Sequence, residues 1–140
     1  MAIKTYSSED VAVIVAGRNV SNRSDDFCTV AMEEDAFMHS VGSDGEGSRS
    51  LNPNRSGTIT ITLKQTSDDN LFMSALHTTD LNTKLGTFPI LVKDTNGNSL
   101  YEGTEAWIVK SADAGFNKEV GDREWTVKCN KLIMVNAGSF

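Results

Sequence analysis

The stretch from Arg55 to Asn70, RSGTITITLKQTSDDN, constrains the fold more than any other segment, because a strictly alternating strand runs directly into a helix start. The strand has an apolar face of Ile59, Ile61 and Leu63 and a polar face of Thr58, Thr60 and Thr62. The apolar face predicts contact with a core. The threonine face keeps high strand propensity while staying polar and uncharged, which suits a sheet facing a solvent channel or a neighbouring subunit.

Two more strands are predicted near the beginning of the chain. Val11–Ala16 is apolar on both faces and too short for a comfortable helix, so we expect a strand covered on both sides. Turn-forming residues over Gly17–Asp26 then lead into a second strand at Phe27–Glu33. These two strands could pair as a hairpin.

The second half of the chain predicts a hairpin followed by an irregular strand. Phe88–Asp94 and Tyr101–Lys110 are strand segments joined by Thr95–Asn98, whose Asn-Gly pair is typical of a tight turn. In Arg123–Val135, the alternation of Trp125, Val127 and Cys129 gives way to Leu132 and Met134 at the opposite parity. The slip predicts a bulge near Asn130 and Lys131, or a strand with two apolar faces.

One helix is predicted after the threonine-faced strand. Ser67, Asp68 and Asp69 offer acceptors and negative charge to its first turn, and His77 is expected near its end. Its apolar stripe, which should cover an open face of the sheet, is predicted to consist of Leu71, Phe72, Ala75 and Leu76. About six or seven strands and one short helix favour a mainly β fold, a small antiparallel β-barrel or sandwich, formed by residues 1–140 as a single domain.

An extended loop at about residues 35–56 interrupts this pattern. A strand beginning at Phe37–Val41 passes into Gly42–Ser56, which is rich in Gly, Ser, Asn and charged residues. Structureless connections of about 15 residues are uncommon in compact domains and are usually functional or disordered. Because the segment has little apolar content beyond Leu51, we expect it to be ordered by a partner; an idle hairpin tip is the alternative.

Charge and hydropathy exclude several classes of protein. Lys and Arg total 13 against 19 Asp and Glu, a net charge of -6, which disfavours stable nucleic-acid binding through phosphate neutralisation. No apolar run approaches the roughly 20 residues that cross a bilayer, and residues 1–10 lack the apolar core of a secretory signal. We therefore expect synthesis in a cytoplasm. Cys28 and Cys129, both among alternating apolar residues, are expected to be buried, reduced thiols.

The residues available for catalysis or metal binding are few. His39 and His77 have no second histidine or cysteine at ligand spacing, and no Gly-rich phosphate loop occurs. Asp94–Asn98 resembles the start of an EF-hand loop and Glu105 fits the twelfth position, but Ser99 replaces the required Gly, so a hairpin turn is favoured. No catalytic residue, metal ligand or cofactor is predicted.

The order of several sequence segments resembles the tail tube proteins of contractile-tailed bacteriophages, in particular the DUF3277-like phage structural proteins. The resemblance covers nearly the whole chain and is carried by Tyr6–Ser21, Glu33–Phe37, Val41–Ser50, Asn54–Asn70 and Asp122–Leu132. It implies a virion structural protein without enzymatic activity. Such proteins form six-subunit rings that stack into a hollow tube inside a sheath, and DNA passes through the tube without stable binding.

The resemblance also implies partners and sites. The partners would be further copies of the chain, the tail sheath, the baseplate hub and the tape measure protein, in a virion tail made in the host cytoplasm. A loop reaching the adjacent ring would lie in the 35–56 segment and use Asp35, Phe37, Ser43, Asp44, Glu46, Arg49, Leu51, Asn54 and Arg55. Candidates for a lumen-facing or inner-sheet surface are Thr58, Thr60, Thr62, Glu102 and Glu105.

Three other functions stay open from the residues. A tube of a type VI secretion system or of a tailocin would share these segments. A β-barrel ligand-binding module would need an apolar pocket with converging polar groups. A small hydrolase would have to use His39 or His77.

Overall fold

The computed structural model describes residues 3–138, which form one antiparallel sheet, one long helix and a separate two-stranded hairpin. A short 3-10 helix, Ser8–Asp10, precedes the sheet, and helix α1 spans Asp69–Thr83. The hairpin consists of β4, Phe37–Val41, and β5, Gly47–Leu51. The strands of the large sheet are β1 Val11–Val15, β2 Arg18–Asn19, β3 Arg23–Met32, β6 Gly57–Lys64, β7 Phe88–Asp94, β8 Leu100–Ile108, β9 Asp122–Cys129 and β10 Leu132–Val135.

The large sheet curls into an open barrel. Its strand order is β2-β1-β7-β8-β9-β6-β3, with β10 paired to β8. The two ends of the sheet, β3 at one end and the β1 and β2 pair at the other, approach each other. Nη1 of Arg23 on β3 donates to the carbonyl of Val11 on β1 at 2.7 Å. No strand pairing joins those ends within residues 3–138, so the predicted mainly β class with one helix is confirmed but the barrel is not closed.

Strand β6 lies between β9 and β3 and has the predicted alternation. Ile59, Ile61 and Leu63 are fully buried, whereas Thr58, Thr60 and Thr62 are half-buried on the opposite face. Ile61 is paired with Cys28 on one side and Trp125 on the other. Burial of such a side chain contributes about 1.5 to 3 kcal/mol, so this row of residues holds the sheet to the core.

Truncation at the two faces of β6 should have unequal effects. We expect Ile61→Ala to lower the free energy of unfolding by about 2 to 5 kcal/mol, because it leaves a cavity in a close-packed region. The neighbouring Thr60→Ala should cost under about 1 kcal/mol. Urea denaturation of both variants measures the difference, and the reverse order of destabilisation would contradict the assignment of the faces.

The predicted hairpin between the first two long strands is wrong. β1 pairs with β7 and with the two-residue β2, whereas β3 pairs with β6. A tight turn at positive φ, formed by Ala16 and Gly17, returns the chain from β1 to β2 instead. The expected coverage of β1 on both sides is also incomplete, because Val13 and Val15 are buried but Ile14 is only half-buried.

Strands β9 and β10 are two parts of one strand that follows β8 in a single register, so the predicted bulge is wrong and the alternative, a strand with apolar residues on both faces, is confirmed. Cys129 pairs with Ala106 and Leu132 pairs with Gly103, so the register along β8 is kept across the interruption. Cys129 and Leu132 are both buried although an odd spacing separates them. Close approach requires the glycine here, because a Cβ on Gly103 would lie 2.6 Å from Sγ of Cys129. The predicted hairpin of β7 and β8 is confirmed.

Helix α1 is longer and differently oriented than the sequence predicts. It continues to Thr83, so His77 lies in its middle. Phe72 and Leu76 pack against the core as expected, together with the buried Met73. Leu71 and Ala75 are instead exposed, which corrects the predicted stripe.

A polar network fixes the start of the helix to the sheet. Asp69 is only 2% exposed, and its Oδ2 accepts from the backbone N–H of Ser21 at 2.7 Å and from its hydroxyl at 3.2 Å. Oδ1 lies 2.5 Å from Nε of Arg18, an ion pair without hydrogen-bond geometry. Ser67 donates to the Ser21 carbonyl at 2.8 Å and accepts from the Asp69 N–H at 3.3 Å. Asp68 makes no side-chain capping bond, so the predicted capping role belongs to Ser67.

The segment expected to be a structureless loop contains a second strand. β5 occupies part of Gly42–Ser56 and pairs with β4 along its whole length, from Phe37 opposite Leu51 to Val41 opposite Gly47.

Within residues 3–138, no helix combines the length and apolar character needed to span a bilayer.

Candidate assembly surfaces

The hairpin of β4 and β5 projects from the sheet without contributing to the core. Every residue from 37 to 51 is exposed. Four large apolar side chains lie among them with roughly half of their surface in solvent: Phe37, Met38, Val41 and Leu51. A partner is the usual reason for apolar side chains to be displayed on an element of this kind.

Hydrogen bonds at its base hold the hairpin in a defined direction. The N–H of Asn52 donates to the Ala36 carbonyl at 2.8 Å, and the N–H of Glu33 donates to the Ser56 carbonyl at 3.1 Å. Nδ2 of Asn52 also donates to Oε2 of Glu34 at 2.6 Å. This bond, with a second from Asn54, lowers the pKa of the Glu34 carboxyl. The base is therefore ordered within a single chain.

The two faces of the hairpin differ in chemistry. Residues directly opposite each other share a face, which places Phe37, Val41 and Leu51 together with His39 and Arg49. The Arg49 guanidinium lies 4.4 Å from the centroid of the Phe37 ring, a cation–π contact. Serines 40, 48 and 50 occupy the other face with Met38.

The tip of the hairpin is acidic. The N–H of Gly42 donates to the Glu46 carbonyl at 2.9 Å, and Gly45 adopts a positive φ of 84° that favours glycine. Oδ1 of Asp44 accepts from the Glu46 N–H at 3.1 Å. The turn thus carries two exposed carboxylates, those of Asp44 and Glu46.

The structure distributes the predicted contact residues over the whole projection. Phe37 lies on β4, and Arg49 and Leu51 lie on β5. The turn contains Ser43, Asp44 and Glu46. Asp35 precedes β4, while Asn54 and the half-buried Arg55 lie between β5 and β6.

The threonine face is continuous across three strands. Thr60 pairs with Thr29 on β3 and with Thr126 on β9. Thr58 pairs with Lys128, which pairs in turn with Trp107, and Thr62 pairs with Glu124. The Thr58 hydroxyl also donates to the carboxylate of Glu33. The outward side is therefore mostly hydroxyl-bearing, with charges of both signs.

The two glutamates predicted for the lumen lie away from this row. Glu102 is half-buried on β8, paired with Leu91 and Ile133. Glu105 is exposed in the unpaired part of β8, where its carbonyl accepts from the Asn130 N–H at 3.0 Å. The structure does not bring them together with Thr58, Thr60 and Thr62.

An apolar groove beside the hairpin base was not predicted from the sequence. It has a volume of about 500 Å³ and is lined by Met32, Arg55, Lys131, Leu132, Ile133, Met134 and Asn136. It forms because the end of β3, the segment before β6 and strand β10 meet, with Leu132 N–H donating to the Arg55 carbonyl at 2.8 Å. The one sequence feature that indicates an irregularity here is the change in apolar alternation near Lys131.

The histidines lie on different elements. His39 is exposed on β4, and His77 lies on α1 with a buried Nδ1 that has no hydrogen-bond partner within residues 3–138. No group of three or more His, Cys, Asp or Glu side chains suited to a metal ion occurs among the described residues.

Both thiols are free and should react slowly. Burial raises the pKa of Cys28 to about 11, with a smaller opposing effect of Arg23, and burial raises that of Cys129 to about 11. Cys129 is buried as predicted, whereas Cys28 is half-buried against the core. Because the thiolate is the nucleophile, we expect alkylation by iodoacetamide at pH 8 to be about a hundredfold slower than for free cysteine. Mass spectrometry of native and urea-unfolded protein measures this, and equal rates would contradict it.

The same pKa shifts predict the effect of alkaline pH on stability. Because the thiol pKa is higher in the folded state than in the unfolded chain, the thiols favour folding fully below about pH 9. As the pH rises toward 11, the unfolded chain loses these protons first and the free energy of unfolding falls.

A family model and a phage protein match this chain. The model described as "Bacteriophage PhiTE tail tube protein" matches residues 3–136. "Structural protein ORF10" of Pseudomonas phage KPP10 is 28% identical over 144 residues, which cover 96% of this chain and 83% of that protein.

Solved structures of contractile injection systems and of a gene transfer agent have the same fold. A chain of the PVC extracellular contractile injection system sheath/tube terminator matches with a TM-score of 0.65 and 14% identity, over 97% of this chain and all of that one. The tube-terminating cap of the anti-feeding prophage matches with a TM-score of 0.60 and 12% identity, over 98% and 95% of the two chains. A chain of the native gene transfer agent virion matches with a TM-score of 0.58 and 10% identity, over 94% and 100%. The resemblance to tail tube proteins is therefore confirmed.

Proposed function

The chain belongs to the Bacteriophage PhiTE tail tube protein family, and from that premise we propose that it is a tube subunit whose hexameric rings stack around a channel for DNA. Its role is structural: it forms rings, joins them and leaves a passage during ejection. The tube would stand in the tail of the virion, with subunits made in the host cytoplasm.

The observation that carries this proposal is the exposed hairpin. Residues 37–51 form a complete strand pair that touches no core, although the base is fixed by backbone hydrogen bonds. A lone two-stranded ribbon is marginally stable in water, and this one displays an apolar face. Both features are explained if the hairpin packs on a neighbouring subunit, as a contact between rings requires.

The edge of the large sheet supports lateral assembly. β3 is its last strand and pairs with β6 on one side only within residues 3–138. Such an edge is a template for pairing with another chain, and joining subunits into a closed ring removes it. We propose that strands of neighbouring subunits form a continuous inner sheet, with the threonine face as a candidate lumen surface.

The remaining partners follow from the tube. A sheath would surround the outer wall, the baseplate hub would meet one end, and a tape measure protein would occupy the channel during assembly. Residues 1–140 would act as one domain from which the 35–56 segment projects. The fold neighbours include a sheath/tube terminator and a tube-terminating cap of injection systems, so a type VI secretion or tailocin tube is the second candidate.

Negative-stain microscopy of the purified protein tests the proposal. Rings or tubes of uniform diameter are expected on concentration. Monodisperse globules at all concentrations, or globules that bind a sugar or another small ligand, would contradict it. Genes for a sheath and a tape measure beside this one would distinguish a phage tail from a secretion system.

Conduction of DNA predicts weak DNA binding. With a net charge of -6, the assembled tube should show no micromolar binding of duplex DNA at physiological salt, because phosphates are repelled and few counterions can be released. If Glu102 and Glu105 line the channel, Glu102→Lys with Glu105→Lys should increase DNA retention, whereas Glu119→Lys in an exposed loop should not. Co-sedimentation with labelled DNA measures both, and tight binding by the wild type would contradict passive conduction.

A further inference from the structure

We propose that the acidic turn of one hairpin docks in the groove beside the hairpin base of a second copy, with Asp44 and Glu46 facing Arg55 and Lys131. The inference rests on the proposed function, because it names the surface of a neighbouring subunit that receives the hairpin. It commits to another copy of this chain as the occupant.

The groove has an apolar floor and a basic rim. Leu132 is buried at its base, and Ile133 has 49% of its surface exposed. Arg55 donates one bond, from Nη1 to the Asn52 carbonyl at 3.0 Å, and Lys131 is exposed. Neither cation forms an ion pair within residues 3–138. The groove therefore has two cations without a carboxylate partner beside exposed apolar surface. This combination is complementary to a segment that is acidic and partly apolar.

The hairpin turn has the complementary chemistry. Val41 stands next to the turn with 57% of its surface exposed. The Asp44 side chain is held on the turn by its bond to the Glu46 N–H, and neither carboxylate forms an ion pair among the described residues. An apolar side chain beside two carboxylates without ion-pair partners among the described residues matches the groove in both respects.

Four other grooves on the described surface do not match the turn in charge. The groove between Phe27 and Tyr101 has no charged lining residue. The groove beside the 3-10 helix is lined by Glu9, Asp10 and Asp25, and the one beside β9 includes Asp122 and Glu124. The groove along α1 contains Asp68, and its Arg18 is already paired with Asp69. These carboxylates would repel the acidic turn, which favours the groove of Arg55 and Lys131.

The turn cannot reach the groove of its own chain. β4 and β5 pair over their whole length, so the turn lies about 17 Å from the base, whereas the groove adjoins the base through Arg55. A projection that complements a groove elsewhere on the same molecule makes a heterologous contact, which repeats from copy to copy. The contact between turn and groove thus explains how one subunit binds another and how the same contact repeats along a growing tube.

Charge reversal with rescue tests the pairing. We expect Lys131→Glu, and separately the pair Asp44→Lys and Glu46→Lys, to raise the concentration needed for tube formation at least about tenfold. A chain that combines Arg55→Glu and Lys131→Glu with Asp44→Lys and Glu46→Lys should regain assembly, because opposite charges again face each other. Lys118→Glu, in an exposed loop, is the matched control and should assemble normally. Circular dichroism confirms that each variant is folded, and Arg55→Glu provides a second groove variant.

Failure of rescue, or normal assembly by the groove variants, would overturn the inference while the proposed function stands. If the wild type forms no polymer, cross-linking decides instead. Full-length chains with Asp44→Cys and with Lys131→Cys are mixed and oxidised, and a disulfide-linked dimer is expected at least about tenfold more often than with Lys118→Cys as the second chain. Equal yields would overturn the pairing.

Discussion

Replacing residues 37–51 by an Asn-Gly turn is expected to abolish tube formation and leave a folded protomer. The cut ends meet, since the Asn52 N–H already donates to the Ala36 carbonyl at 2.8 Å, and a two-residue turn closes such a pair. No buried side chain is removed. The free energy of unfolding should therefore change by under about 1 kcal/mol, while the contact that joins subunits is lost entirely.

Microscopy and urea denaturation read out the two halves of this prediction. The matched control is Ser40→Ala with Ser48→Ala, which alters only the polar face of the same hairpin and should still polymerise. Long tubes from the shortened chain would show that the hairpin is an idle projection. Loss of the folded signal would show that it belongs to the core.

Asp69→Ala is expected to give the largest loss of stability among the substitutions of polar residues considered. It removes the acceptor of the Ser21 N–H and hydroxyl and leaves the Arg18 guanidinium without its partner. Removing one partner of a buried, hydrogen-bonded ion pair typically costs about 3 to 5 kcal/mol. The half-exposed Arg18 can turn to solvent, so the lower part of that range applies.

The adjacent carboxylate provides the control. Asp68 is exposed and makes no capping bond, so Asp68→Ala should cost under about 1 kcal/mol. Thermal and urea denaturation compare the two variants. Equal destabilisation would mean that helix-start charge, and not the contacts to Ser21 and Arg18, accounts for the effect.

The alternation of apolar and polar residues correctly predicted the strands that bury only one face. The alternation of Ile59, Ile61 and Leu63 gave the buried face of β6 correctly, because a pleated strand has only two sides. The Asn-Gly turn after β7 and the slip near Asn130 were also informative, since turn geometry and a change of parity are local properties.

Strand partners and the rotation of the helix could not be predicted in this way. β1 pairs with β7 and β3 with β6, and nothing within those segments encodes such distant partners. β5 was missed because GSRSL has weak strand propensity and is held by its pairing with β4. Leu71 faces solvent since Asp69 is drawn into the sheet by Ser21 and Arg18, a contact that hydrophobic periodicity does not register.

The candidate assembly surfaces stay predictions. The low apolar content of Gly42–Ser56 predicts a segment outside the core, and every residue from 37 to 51 is exposed. The candidate groove is formed by Met32, Arg55 and Lys131, which are distant in sequence and meet only when β10 lies beside the end of β3. No property of the individual residues marks them as one surface.

The strand order has a consequence for synthesis on the ribosome. β6 pairs with β3 on one side and with β9 on the other. Its second pairing therefore cannot form until residues 122–129 have left the exit tunnel. Pairings of such long sequence separation form slowly, and a nascent chain would meanwhile expose both edges of the β3 and β6 pair. Interrupted translation before β9 would thus yield fragments that lack the central sheet and cannot enter a growing tube as native subunits.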